Sequence, residues 1–295
     1  NVVGANFSVT YTDVSNPWNT GTVAGLNTGD AITLPSAGTY IISVFVPTGS
    51  ASSSITKLST TEAPLSNGYI IDVVNWSNIK WQSLKDAFKG CTGLTRLSAV
   101  DVPNLSECTS LEAMFQNCTG LTAVPLIEDW NLSNVTTLKS MFAGATAFNQ
   151  PLNRLDVSHI ADFSGMFSGA TAFDRPLGEW NLGGITDGNT AMLNMLDNSG
   201  MSCASYKEIL IGWSMRSSTP NNIRLGAANI NYGNGAAAIR TNLQTNKSWT
   251  FVGDQLSAGC DGVDASGRYI SVWDTRIPTT RTTDLLDIQT NICGN

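Results

Sequence analysis

Residues 130–152 read WNLSNVTTLKSMFAGATAFNQPL, and the centre of this stretch occurs four times. Aligned on one phenylalanine, LKDAFKGCTGL surrounds Phe88, LEAMFQNCTGL surrounds Phe115, LKSMFAGATAF surrounds Phe142 and FSGMFSGATAF surrounds Phe167, at intervals of 27, 27 and 25 residues. Twelve residues earlier stands a second column of Trp76, Pro103, Trp130, Leu155 and Trp180. A fifth, degenerate unit has Gly188 and Met192 in place of the Phe column. Internal periodicity of this length marks a repeat architecture. One unit cannot bury its own apolar face, but stacked units can.

Within each unit the apolar residues fall at i, i+3 and i+7: Trp81/Leu84/Phe88, Cys108/Leu111/Phe115, Val135/Leu138/Phe142 and Ile160/Phe163/Phe167. That spacing predicts one stripe of a short helix. Ser and Asn in LSNV (132–135) and VSHI (157–160) suit helix entry, and Gly90, Asn117, Gly144 and Gly169 suit helix exit. The AFNQPL and AFDRPL segments alternate like half-buried strands, kept short and irregular by Pro151 and Pro176. Residues 76–202 are therefore expected to form a solenoid of about five strand–helix coils.

The motif WNLSNVTTLKSMFAGATAFNQPL resembles the repeat of the BspA-like bacterial surface proteins, relatives of the leucine-rich repeats. LDNSGMSCASYKEILIGWSM (196–215) and GAAAIRTNLQTNKSWTFVG (235–253) resemble the terminal cap of that family. Ser205 and Glu208 have capping-box spacing, and Tyr206, Ile209, Leu210 and Trp213 share one helical face. A second short helix aligns Ile239 with Leu243, and a strand follows at Trp249–Val252. The resemblance implies surface display with adhesive or structural roles, and it fixes no ligand.

Residues 1–75 are strand-like, with NFSVTYTDV, DAITLP and GTYIISVFVP separated by turn residues. They resemble the small polycystic-kidney-disease-type β-sandwich that precedes such repeats, although Asp13-Val14-Ser15-Asn16 replaces its W-G-D-G turn. The opening strands of that pattern are missing from residues 1–5, whereas YISVWDT…LLDIQT in the 261–295 tail resembles them. The expected class is α+β: an incomplete β-sandwich-like domain (1–75), a leucine-rich-repeat-like solenoid (76–202), a helical cap (203–260) and a β tail (261–295).

Three explanations of the tail stand open. It folds back within its own chain, it adds to the N-terminal sheet of the next copy, or the chain is one period of a longer tandem protein. A capped stack holds the ends apart and favours the second, a head-to-tail filament built by strand complementation. The candidate inter-subunit strand residues are Tyr269, Ile270, Val272, Trp273, Leu285, Leu286 and Ile288. The alternative is a monomeric adhesin module that binds a host protein or glycan through the repeat face.

Composition narrows the function further. Charged residues make up 13% of the chain, about half the usual share, so Ser, Thr, Asn and Gly supply the surface. A net charge of −7 without a basic cluster argues against nucleic acid, and no apolar run is long enough to cross a membrane. Asn at position 1 reads as a processed or excised chain, and the expected localisation is the bacterial cell surface or a secreted filament.

The six cysteines form no CxxC pair and there is one histidine, so no metal or cofactor is expected. Cys91 and Cys118 share a repeat column and are the candidate disulfide. His159 occupies a polar turn position, which leaves a hydrolase triad without its base. Glu128, Asp129, Asp156 and Glu179 fall at one corner of successive coils and read as solvated edge residues rather than a glycosidase pair. The Trp column reads as core, and the Thr column (Thr92, Thr119, Thr146, Thr171) as turn and stacking residues rather than an ice-binding array. DGVDASG (261–267) misses the calcium-loop register and reads as a linker turn, and the recurring sequons follow from the repeat. No enzymatic activity is expected.

Overall fold

A computed structural model describes residues 2–3, 7–26, 40–45, 54–55, 57–58, 71–76 and 79–261. The fold is mixed helix and strand, with small sheets and two helices among the described residues. In chain order the strands of the first part are β1 (Val2–Val3), β2 (Phe7–Asp13), β3 (Thr20–Leu26), β4 (Tyr40–Phe45), β5 (Ser54–Ile55) and β6 (Lys57–Leu58). β7 (Lys80–Trp81) then opens the repeats. β2 is the centre of an antiparallel sheet ordered β3-β2-β4, β1 pairs with β6, and β5 runs parallel to β7. The β2–β4 ladder is regular from Ser8↔Phe45 to Asp13↔Tyr40, whereas β2–β3 slips between Phe7 and Val9. Gly21 leaves room for the cross-strand Tyr11 ring, whose Oη would lie 2.5 Å from a Cβ there. The sequence segment DAITLP (30–35) lies outside the described residues.

In the repeats the expected helices do not form. Leu84, Asp86, Phe88 and Gly90 donate their N–H groups to the carbonyls of Ser110, Glu112, Met114 and Gln116 in the next coil, at 2.7–3.0 Å. The residues between them donate three positions back within their own coil: Ala87 to Leu84, Lys89 to Asp86 and Cys91 to Phe88. The pattern repeats from Leu111 to Asn117, from Leu138 to Gly144 and from Phe163 to Gly169. Each coil wall is thus a run of overlapping turns. An α-helix would commit all those N–H groups four residues back.

Two backbone positions per coil explain the choice. The residue two after the Phe column is left-handed at Asn117 (φ +60°), Gly144 (+70°) and Gly169 (+72°), and so is the residue two before it at Ala113 (+54°), Ser140 (+53°) and Gly165 (+64°). A left-handed third residue is what a type II turn demands, and it interrupts any right-handed helix. The i, i+3, i+7 spacing survives because successive turns return side chains inward at nearly the same interval. The strands expected at AFNQPL and AFDRPL do not form either; the bridges between coils lie elsewhere in the repeat, ahead of the Phe column, at Lys80↔Asn104, Ser110↔Thr137 and Thr137↔Asp162.

One continuous apolar core runs through the coils. The rings of Phe88, Phe115, Phe142 and Phe167 form a file with centroids 5.6, 5.6 and 5.9 Å apart and planes within 12° of parallel. Phe148 and Phe173 form a second file beside it, 6.1 Å apart. Burial of such a ring stabilises by about 1.5–3 kcal/mol. In the fifth coil the Phe column is filled by Leu196, neither Gly188 nor Met192: Phe167 donates to Met195, and Asn198 is left-handed two residues beyond Leu196. This coil is longer than the others, because the bond from Phe163 reaches Ala191, 28 residues on. Leu84, Leu111 and Leu138 reach 26, 26 and 24 residues on to Ser110, Thr137 and Asp162, and the extra length moves the register.

The ladder continues into the cap. α1 (Cys203–Met215), β8 (Arg224–Gly226), β9 (Asn231–Tyr232), α2 (Asn234–Lys247), β10 (Thr250–Val252) and β11 (Gln255–Leu256) follow. Leu196 donates to Gly226 and Ala227 donates to Val252, so β8 and β10 are two further layers of the stack. β8 pairs in parallel with β10, and β9 with β11. Ser202 caps α1 by accepting from the Ser205 N–H, and Tyr206, Ile209, Leu210 and Trp213 are buried as one face. The observed cap therefore lies three residues before Ser205, the first residue of the expected Ser205–Glu208 box, because α1 begins at Cys203.

Candidate functional site

The residues expected to join subunits, Tyr269, Ile270, Val272, Trp273, Leu285, Leu286 and Ile288, lie outside the described residues. Their expected receptor, the β3-β2-β4 sheet, is described. Both outer strands of that sheet have one unpaired side among the described residues. β3 is the irregular one, with its register slip and Gly25 at φ +67°.

The β2–β3 loop is held by Asp13, which is buried. Its carboxylate accepts the Ser15 N–H (2.9 Å), the Ser15 hydroxyl (2.7 Å), the Asn16 N–H (3.3 Å) and the Asn19 amide (3.4 Å). Bonds from Ser15 and Asn16 hold the Asp13 carboxyl below its ordinary value, the Ser15 hydroxyl foremost. The Asn19 N–H donates to the Asn16 carbonyl at 2.8 Å and closes the turn Asn16-Pro17-Trp18-Asn19. Sequence reading noted this loop as a departure from W-G-D-G and gave Trp18 no role.

The cysteine pairing differs from expectation. Cys91 and Cys118 are both buried thiols, and the disulfide joins Cys203 to Cys260 across 57 residues. Equivalent side chains of parallel layers point the same way at about 4.8 Å, whereas a disulfide needs Cβ atoms about 3.8 Å apart and facing each other. The Cys118 Sγ instead donates to the Phe88 carbonyl at 3.0 Å. Burial, with Cys91 alongside, pushes the Cys118 thiol up to about 12. Burial likewise raises the Cys108 thiol.

The disulfide fixes the N-terminus of α1 to the 3-10 turn Ala258–Asp261. Asp261, from the segment read as a linker turn, accepts the Asn234 N–H (2.9 Å) and side-chain amide (2.7 Å), so it caps α2 where Gly233 cannot. At the centre of the cap Arg240 makes a two-pronged pair with Asp254 (2.7 and 2.9 Å), which also accepts the Tyr206 hydroxyl at 3.0 Å. The Arg240 guanidinium lies 4.5 Å from the Phe251 ring and 5.0 Å from Tyr232. Burial and the Asp254 charge push the Tyr206 hydroxyl well above its ordinary value. This network is consumed internally and faces no cavity.

The carboxylates at the coil corner do not converge. Glu128 accepts the Arg154 N–H (2.9 Å), Asp156 accepts the Ser158 N–H (3.0 Å), and Glu179 pairs with Arg216 (2.7 Å). Each is satisfied locally by its own or an adjoining coil. His159 is exposed, and no group of three His, Cys, Asp or Glu able to hold a metal occurs among the described residues. Trp76, Trp130, Leu155 and Trp180 are buried, and the Trp180 indole donates to the Leu152 carbonyl at 2.7 Å. The exposed Thr column is tied down: Thr146 and Thr171 donate their hydroxyls to the carbonyls of Thr119 and Thr146.

The described molecule is a repeat-containing α+β protein, and no helix among the described residues is long and apolar enough to cross a membrane. Residues 82–204 match the family described as DUF285, Mycoplasma protein of unknown function, a span that coincides with the five coils and covers less than half of the chain. No curated protein and no solved structure matches the chain.

Proposed function

We propose that this chain is an extracellular structural protein of a bacterial surface, a short BspA-like solenoid that assembles head to tail. Residues 262–295 supply strands to the β3-β2-β4 sheet of the next copy, and the stacked coils serve as the rigid spacer between contacts. The observation that carries this reading is the hydrogen-bond ladder, which runs without a break from Leu84 to Val252. A spacer of that kind transmits orientation along a filament and keeps the tail away from its own N-terminal sheet. The Cys203–Cys260 bond supports an oxidising, extracellular compartment, because cytosolic thiols are kept reduced.

Sedimentation velocity and negative-stain microscopy of the full chain, with and without residues 262–295, test this. Cutting after Asp261 preserves the disulfide and the α2 cap. The expected result is a concentration-dependent filament that the deletion abolishes. A monomer before and after deletion sinks the reading. A monomer whose N-terminal sheet loses amide protection on deletion replaces it with fold-back.

A further inference from the structure

Of the seven tryptophans in the described residues, six are at most 5% exposed and one, Trp18, is 93% exposed. The six have assigned places in the core, whereas Trp18 has no ring, cation or hydrogen-bond partner among the described residues. A tryptophan gains most from burial, so one left in water on an ordered loop calls for a role. The loop around it is ordered by design of the sequence. Pro17 fixes φ at the second turn position, Asn19 closes the turn onto Asn16, and the buried Asp13 carboxylate holds Ser15, Asn16 and Asn19 in place. The indole is therefore carried by a preformed turn, and little conformational entropy remains to be lost when a ligand meets it.

We propose that the β2–β3 loop is a carbohydrate-contacting site, in which a neutral sugar ring stacks on Trp18 and the exposed Asn16 amide bonds the sugar hydroxyls. Two features favour this ligand class. First, the residues that flank Trp18 in the turn are uncharged: the Ser15 hydroxyl and the Asn19 amide bond Asp13, and Asn16 is exposed. A protein hot spot would be ringed by a larger apolar surface, and Val14 is the exposed apolar neighbour here. Second, residues 1–56 contain no lysine or arginine, which removes the usual attraction for anionic lipid or acidic polysaccharide. The site is independent of head-to-tail assembly and stands whether or not the chain polymerises.

The full chain is titrated with neutral oligosaccharides of the β-glucan, chitin and mannan classes, using calorimetry and tryptophan fluorescence. The expected result is binding of at least one class, weakened about tenfold or more by Trp18→Ala and less by Trp18→Phe, with the thermal midpoint unchanged. Asn16→Ala is expected to weaken the same sugar without altering stacking fluorescence. The proposal is overturned if no class binds, or if Trp18→Ala leaves affinity within about twofold. Loss of self-association in Trp18→Ala without any effect on sugar binding would reassign the loop to a contact between copies.

Discussion

The middle coils and the two cap layers carry the same ladder and cover it in opposite ways. In coils around Phe115 and Phe142, wall N–H groups go to the neighbouring coil or three residues back, apart from Glu112 and Lys139, which donate to the Ser110 and Thr137 hydroxyls, and the side chains stack on their own repeats. Such a coil is stable because it has a copy on each side. The layers of β8 and β10 lie where copies run out, and there the outer arc becomes α1 and α2. Non-repeated devices then appear: a disulfide, a half-buried Arg240–Asp254 pair and a carboxylate cap from Asp261. Repetition stabilises through identical neighbours, and termination requires unique long-range contacts.

The sharpest way to break this contrast is to remove one ring from each region. Phe142 is fully buried and touches Phe115, Phe148 and Phe167. Phe142→Ala is expected to destabilise by about 3–5 kcal/mol in denaturant unfolding, since stacked coils on both sides resist collapse into the cavity. In the cap, Asp254→Ala strands a half-buried guanidinium and the buried Tyr206 hydroxyl, and a smaller loss of about 1–3 kcal/mol is expected. The double variant Asp254→Ala/Arg240→Met should recover much of it. If it does not, the pair matters through geometry rather than charge burial.

Between these two in size is the disulfide. Reducing Cys203–Cys260 is expected to lower cap stability by about 2–4 kcal/mol. Hydrogen exchange should show α1, α2 and β10 losing protection while residues 111–170 keep theirs. Simultaneous loss in both regions would show that coils and cap unfold as one unit. Alkylation in the native state should leave Cys91, Cys108 and Cys118 unmodified, because burial keeps the Cys118 and Cys108 thiols protonated.

These outcomes depend on features of unequal legibility. The Phe, Trp and small-residue columns were readable because stacking imposes identical demands on every unit, and Cys91, Cys118, Ala145 and Ala170 all proved buried. Helix versus turn was not readable from the apolar spacing, which both conformations satisfy. The deciding positions hold Asp86, Ala113, Ser140, Gly165 and Asn194, residue types with no common signature. Leu196 was missed because a lengthened coil shifts register without disturbing the wall. The Cys203–Cys260 pair depends on how α1 meets the turn after β11, a tertiary fact with no local spacing. Trp18 carried the one available signal, Asn-Pro-Trp-Asn, a turn tetrapeptide with an aromatic at its tip.

The left-handed positions supply a smaller test with opposite signs. A Cβ on Gly144, at φ +70°, would collide with the Asn117 side chain, so Gly144→Ala is expected to destabilise by about 1–2 kcal/mol. Ala113 pays the left-handed penalty already, at φ +54°, and Gly165 fills the same column two coils on. Ala113→Gly should therefore be neutral or stabilise by up to about 1 kcal/mol despite the greater freedom of the unfolded chain. Equal losses at both sites would mean that packing, not backbone handedness, sets the turn.

The smallest expected effect separates charge from shape in one column of turns. Asn104, Asn131, Asp156 and Asn181 each accept the N–H two residues on, and only Asp156 is ionisable. The Ser158 hydroxyl first, then its N–H and the nearby His159, hold the Asp156 carboxyl below its ordinary 3.8. A depressed folded value means that its contribution is present above pH 3.8 and is lost as pH falls through the folded value. Because the group is exposed, solvent screening limits that contribution to about half a kcal/mol. Asp156→Asn keeps the turn and removes the proton, so stability near neutral pH should change little while the acid slope flattens below pH 3.8, by roughly the share of one carboxylate. An unchanged acid slope would place the linked proton elsewhere, with Asp13 the first residue to examine, since it holds its own loop through the same kind of bonds.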